Sequence, residues 1–376
     1  MTVPGYPTLA GFRRAGQLHS DWQAWFPFNA PGGWAFSGRV ALYHGMGALG
    51  LPPASTILVP AYHEGIELDA LLAAGHRVRH YRVDQELRVD LADVERRLDA
   101  SVSALYVIHY FGLPQSLAVL RDFCDAHGLH LIEDCALALF SRANGTWLGS
   151  VGDLAIFSIY KTLPVPHGGY LVAPRSGALS ELRAPPLMST FVQTLDLAHH
   201  TLEASGWSGV ERAASRAAGF VRRLLRFNRQ TTVSSGGPRW DQRQVAFGAS
   251  RWTQQLMRLT SRDRVVARRR ANYERLAARL RRHAAIPFPE LAPGTCPLLF
   301  PILVADRDRV LVALEQVGVQ SGKYWPHSHA TCPPDLAAEM APWREQCLEL
   351  PIHQELSAAD IDRVADAVIT VLRASR

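Results

Sequence analysis

Between residues 37 and 173, short runs of strand length alternate with segments of helical spacing, and this alternation most constrains what the chain can fold into. The runs are Thr56–Pro60 (TILVP), Val78–Val83, Ala104–His109 (ALYVIH), His130–Glu133 (HLIE), Leu154–Ser158 (LAIFS) and Gly169–Ala173 (GYLVA). Residues 39–50, 68–74, 91–98 and 117–127 read as the helices between them, the third introduced by Asp90 as an N-cap. Strands that alternate with helices predict an α/β fold, a mainly parallel sheet covered on both faces. Such sheets bind ligands beyond the carboxyl ends of their strands.

The flanks read differently. Residues 1–35 are irregular and aromatic (Trp22, Trp25, Phe26, Phe28) and are expected to pack as an arm on a large domain spanning 36–250. Within it, residues 176–250 leave the alternation and look mostly helical. Val210, Ala214, Ala217, Val221, Leu224 and Leu225 form one apolar stripe there, with Arg212, Arg216, Arg222, Arg223 and Arg226 largely off it. That stripe suits a helix docked on its own domain or on a second subunit; a membrane-surface helix is the alternative. Residues 251–282 read as one long arginine-rich helix. With a strand at 298–304 and helices at 307–317 and 358–372, it predicts a smaller C-terminal α/β domain over 251–376.

The chain of 376 residues is 48% apolar and 20% charged, the composition of a globular protein. Its net charge of +6 follows no nucleic-acid-binding motif, so no nucleic-acid partner is expected. No leader-like or membrane-spanning run is evident, and a cytoplasmic location is expected. Five scattered cysteines without C-x-x-C spacing imply a reducing compartment. His76, His80, His127 and His130 share no helical face with carboxylates, and no metal site is expected. Lysine occurs only at Lys161 and Lys323, so a lysine nucleophile has two candidates.

Three constellations carry chemistry. In Ser158-Ile159-Tyr160-Lys161, a lysine directly follows a buried strand, where desolvation favours the neutral amine that Schiff-base chemistry needs. Ser158 can present its hydroxyl to a phosphate beside it. Asp134 closes the apolar strand Leu131-Ile132-Glu133-Asp134, a costly place for a carboxylate without a partner. A protonated pyridine ring such as that of pyridoxal phosphate would supply one; a cap or structural ion pair is the alternative. Ser37-Gly38-Arg39 opens a helix, where backbone N–H groups and a glycine permit an anion site, although an ordinary N-cap reads the same.

On these residues the sequence resembles the DegT-like aminotransferases, the nucleotide-sugar branch of fold type I pyridoxal-phosphate (PLP) enzymes. The family's S-G-T-A-A-L and V-P-A are matched by Ser37–Leu42 and Val59-Pro60-Ala61, and its H-x-x-G by His109–Gly112. Its E-D-x-A is matched by Glu133–Ala136, G-S-x-G-D by Gly149–Asp153, and the lysine with a Gly-Gly pair by Lys161 and Gly168-Gly169. Near the end, L-x-L-P-x-H is matched by Leu348–His353. The resemblance implies a seven-stranded-type sheet and pyridoxal 5'-phosphate held as a Schiff base on Lys161. It implies that Asp134 holds the pyridinium and that Gly38, Arg39 and Ser158 bind the phosphate. Tyr324 and His329 would contact substrate, and two subunits would share each active site.

The departures bear on substrate. Leu137 stands where the family carries Gln or His, and Glu64 stands where an aromatic stacks on the ring, leaving His63 or Tyr62 for that contact. The loop before Lys161 is two residues short, and Asn228 is a loose match for the cross-subunit asparagine. The function implied is transfer of an amino group, from glutamate as donor, to a keto acceptor such as a keto-sugar nucleotide. Two alternatives are a PLP enzyme of another reaction type, such as elimination or decarboxylation, and a non-enzymatic family member.

Overall fold

The computed structural model describes residues 2–9, 19, 21–175, 179, 182–205 and 240–374. The apolar stripe from Val210 to Leu225, the arginines beside it and Asn228 lie outside the described residues. The strands are β1 (Gly32–Ala35), β2 (Thr56–Pro60), β3 (Arg77–Tyr81), β4 (Val102–Ile108), β5 (His130–Asp134), β6 (Arg142–Ala143), β7 (Thr146–Trp147), β8 (Leu154–Ser158), β9 (Gly169–Val172), β10 (Phe300–Leu303), β11 (Gly322–Lys323) and β12 (Cys347–Leu350).

Seven of them form one sheet in the order β1-β9-β8-β5-β4-β2-β3. From β3 to β8 every pairing is parallel, as the alternation predicts. Strand β9 runs antiparallel to both β8 and β1. The link from β8 to β9 holds only the turn Ile159–Thr162 and a short loop, too little for the crossover that a parallel neighbour requires. Strands β2, β8 and β9 are buried at every residue, which is why they read as continuous apolar runs. The helices Gly38–Ala48, Ile66–Ala73, Leu91–Arg96 and Leu117–His127 fall close to their expected places. The Asp90 side chain accepts the Asp93 N–H at 3.0 Å, so the cap read from the sequence is present.

Strand β1 was not foreseen, because Gly32-Gly33-Trp34-Ala35 has neither periodicity nor β-branched residues. Gly32 is needed there: a Cβ would stand 1.8 Å from the Leu171 carbonyl oxygen. The arginine-rich stretch is two helices, Arg251–Met257 and Arg262–Leu280, the second restarted by Ser261, whose side chain accepts the Arg264 N–H. Strands β10, β12 and β11 form a second, antiparallel sheet. It packs with the helices Arg262–Leu280, Arg307–Gln316 and Ala358–Arg373 around a separate core that includes Leu276, Leu280, Phe300, Leu348 and Val364. All five cysteines are buried and free. Among the described residues no helix is long and apolar enough to cross a membrane.

The Gly168-Gly169 pair has a steric cause. A Cβ on Gly169 would lie 2.2 Å from the Ser37 carbonyl carbon and 2.6 Å from the Gly38 nitrogen, so β9 carries no side chain where the start of the first helix crosses it. Gly169→Ala is expected to destabilise the protein by about 3 kcal/mol or more, since rigid backbone must move. Urea unfolding of the two proteins, compared at equal m-value, measures this.

Candidate active site

A cavity of about 450 Å³ opens at the carboxyl ends of the parallel strands. One wall is the start of the first helix, with Gly38 and Arg39; the floor includes Asp134 at the end of β5 and Ser158 at the end of β8. Lys161 enters from the short helix Ile159–Thr162 that follows β8. Glu64 and Glu67 border it after β2, and Lys323, Trp325 and His327 close it from the second sheet's side. Lys161, Asp134, Gly38, Arg39 and Ser158 are therefore brought together as the sequence predicts.

The anion cradle is built by close packing. A Cβ on Gly38 would stand 2.4 Å from Ser158 Oγ, so only glycine lets the helix start meet that hydroxyl. Ser37 precedes the helix in extended backbone (φ −154°) and does not cap it with its side chain. Its Oγ is buried without a hydrogen-bond partner. An orphaned hydroxyl, a glycine in close contact and the N–H groups of a helix start fit a phosphate.

Asp134 is buried, and its carboxylate is held from two sides. Oδ2 accepts from the Tyr106 hydroxyl at 2.5 Å and Oδ1 from the Ala136 N–H at 2.8 Å. Burial raises its pKa, against the lowering effect of these bonds and of Lys161 and His109. A cationic ring nitrogen in this cavity would restore the charged form.

Lys161 differs from expectation in its protonation. Burial, the largest single influence, does lower its pKa, but Glu64 foremost, with Tyr160, Asp134 and Glu67, outweighs it and the net shift is upward. Glu64 Oε2 lies 3.7 Å from Lys161 Nζ. These carboxylates thus favour the ammonium form of the lysine over the neutral amine inferred from desolvation alone. Glu67 is pushed up to about 8 by burial, with Glu64 and Asp134 adding to the effect. Its two oxygens accept the N–H groups of Glu64 and Gly65 at 3.0 and 3.1 Å and so fix the loop that carries Glu64.

Three expected contacts are not at the cavity. His63 is fully buried and does not border it; the next residue, Glu64, does. Tyr324 is buried against Phe111 and Trp325, at ring separations of 4.3 and 4.5 Å. His329 is turned to Asp69 and Thr331. The segment that resembles the substrate loop presents its neighbours Lys323, Trp325 and His327 instead. Trp325 has a left-handed backbone (φ 41°), which alters the facing of consecutive residues and could not be read from the sequence. Leu137 lines the cavity as an apolar wall.

Residues 35–183 and 247–369 match the DegT/DnrJ/EryC1/StrS aminotransferase family. A stretch of 140 residues is 34% identical to the GDP-perosamine synthase of Vibrio cholerae, covering 36% of this chain and 38% of that protein. A stretch of the same length is 34% identical to the dTDP-4-dehydro-2,3,6-trideoxy-D-glucose 4-aminotransferase of Saccharopolyspora spinosa, covering 36% of each chain. The matched stretches thus span little more than a third of these relatives. The fold is similar to that of the aminotransferase TlmJ from Streptoalloteichus hindustanus, with a TM-score of 0.66, 21% identity and the whole of both chains covered.

Replacing Glu64 by Gln removes the largest raising influence on Lys161. The amine then deprotonates at lower pH, and below the wild-type pKa more of it is the neutral nucleophile. Aldehyde addition to Lys161, followed in a Lys323→Arg background, should be faster at a given pH, with its pH profile displaced to lower values. An unchanged profile would mean that Glu64 does not hold the lysine charged.

Proposed function

The chain belongs to the DegT/DnrJ/EryC1/StrS aminotransferase family, whose cofactor is pyridoxal 5'-phosphate, and we propose that it is an aminotransferase acting on a keto-sugar nucleotide. The observation that carries this reading is the convergence of Lys161, Asp134 and the Gly38–Ser158 cradle on one cavity. The sugar acceptor rests on the relatives' names, which are those of a perosamine synthase and a deoxysugar 4-aminotransferase.

Pyridoxal phosphate, when bound, supplies an aldehyde carbon for amine exchange and a ring that draws off electrons. Ser37, Gly38 and Ser158 would hold its phosphate with backbone N–H groups and hydroxyls, and Arg39 would add a cation on the same wall. The Asp134 carboxylate, fixed by Tyr106 and Ala136, would hold a proton on the ring nitrogen. Lys161 Nζ would be the amine that holds the cofactor and would move a proton at the substrate carbon. Glu64 stabilises the ammonium that Lys161 becomes between those roles. Glutamate is the proposed amino donor. The proposed assembly is a homodimer, and the proposed domains are the arm 1–35, a large domain 36–250 and a small one 251–376.

A carboxylate beside the lysine favours a second reading, elimination or decarboxylation on the same cofactor, because Glu64 is a further base where relatives are expected to stack an aromatic. Visible absorption of the cofactor-loaded protein separates the two. Glutamate alone should discharge the cofactor band in the wild type. In Lys161→Ala the conversion should slow by about 10²–10⁴-fold, the usual contribution of a positioned proton-transfer group. A lysine-dependent band that no amino donor changes would overturn transamination and leave the second reading.

A further inference from the structure

Behind the loop that carries Glu64 lies a second cluster that takes no part in the chemistry above. His63 follows β2, His80 lies in β3, and Cys332 ends the loop that begins at the cavity with Lys323. All three are buried, and one ligand atom from each lies within 4.8 Å of the others. Both ring nitrogens of His63 are buried without a hydrogen-bond partner. An imidazole is rarely left so, since each orphaned polar atom costs about 1–3 kcal/mol.

We propose that His63, His80 and Cys332 bind a divalent transition-metal ion of borderline softness, zinc above all. Two imidazoles and a thiolate are a ligand set that zinc takes, with a fourth position left for solvent or another side chain. His80 is tied through Nε2 to Thr331 Oγ1 at 3.0 Å, which leaves Nδ1 as its ligand atom. His329 stands next to the cluster, its ring 6.3 Å from that of His63, and its Nε2 is paired with Asp69 at 3.2 Å.

Zinc–nitrogen and zinc–sulfur bonds of about 2.0–2.3 Å place ligand atoms roughly 3.3–3.8 Å apart. Ligand atoms as far apart as 4.8 Å must draw in by about an ångström as the ion enters. Burial, with Arg344, His80 and His329 nearby, holds the His63 pKa well down and keeps the ring in its neutral, ligating form. Burial also raises the Cys332 thiol, so binding must displace a proton from Sγ to solvent. Arg344 is the cation that opposes the ion. Its charge is shared among the carbonyls of Ala61, His63, Trp325 and His327, and the thiolate formed on binding offsets it.

The consequence is structural. The ion would pin the end of the 323–332 loop to β3 and to the segment after β2, fixing the wall that Trp325 and His327 give the cavity. The test uses the untagged full chain with its cofactor. After exposure to zinc and exhaustive buffer exchange, metal analysis should find about one zinc per chain. Thermal unfolding should shift upward with zinc and not with magnesium. Cobalt should give ligand-field bands at wavelengths beyond the cofactor's absorption. Cys332→Ser and His63→Gln should each weaken zinc retention about 100-fold or more, and Cys332→Ser should keep the cofactor spectrum as proof of folding. No retained zinc in the wild type would overturn the site, and so would equal retention in both variants.

Discussion

The buried carboxylate of Glu133 organises the catalytic edge of the sheet. Its oxygens accept the N–H groups of Gly149, Val151 and Gly152 at 2.7, 2.9 and 2.6 Å, and His109 Nε2 approaches at 3.0 Å. His109 Nδ1 accepts the Gln115 N–H, so the proton on the other nitrogen is donated to Glu133. One side chain thereby joins β5, the loop entering β8 and the turn leaving β4. Alternation along a strand sends Glu133 and Asp134 to opposite faces, so the clamp and the cavity's carboxylate are consecutive residues. Three motifs that look independent in the sequence (H-x-x-G, E-D-x-A and G-S-x-G-D) are one hydrogen-bonded unit. A buried carboxylate with four donors is far less costly than an unpaired one.

Two buried arginines do for the second sheet what Glu133 does for the first. Arg269 has no solvent exposure and donates to the carbonyls of Thr162, Pro297 and Leu298 and to Gln354 Oε1. Thr162 follows Lys161, so the helix Arg262–Leu280 is fastened to the turn that presents the lysine. Gln354 Nε2 donates to the same Thr162 carbonyl, which gives the segment after L-x-L-P-x-H a positioning role. Arg344 reaches carbonyls after β2 and in the 325–327 loop, and its guanidinium lies 5.1 Å from the centre of the Tyr62 ring. The planar, five-donor guanidinium suits this use, because it satisfies several carbonyls that no strand pairs.

These roles also mark where sequence reading stops. Arg269 is one of a dense set of arginines in a helix, and nothing in its spacing separates the buried one from those on the surface. Residue type points to His63 as the stacking ring, whereas the backbone after β2 buries His63 and brings Glu64, which stands at the aligned position, to the cavity. A motif points to Tyr324 and His329, whereas the left-handed Trp325 brings its own residue to the cavity. The charge on Lys161 escapes the sequence for a related reason. Desolvation follows from a lysine's place after a buried strand, but the distance to Glu64 depends on a loop 97 positions earlier in numbering, set by Glu67.

What the sequence determined by itself was the part governed by local periodicity and short motifs. The parallel sheet, the helices between its strands, the Asp90 cap, and the meeting of Lys161, Asp134, Gly38 and Ser158 at the strand ends all follow from order along the chain. Parallel connectivity sends every strand's carboxyl end to one edge, so chemistry-bearing residues at those ends must converge. Only the tertiary structure decided the antiparallel edge strand β1, which side chains face the cavity, the charge on Lys161 and the gathering of His63, His80 and Cys332. Each of those depends on distances between residues far apart in sequence, and electrostatics and ligand geometry are set by such distances rather than by residue identity.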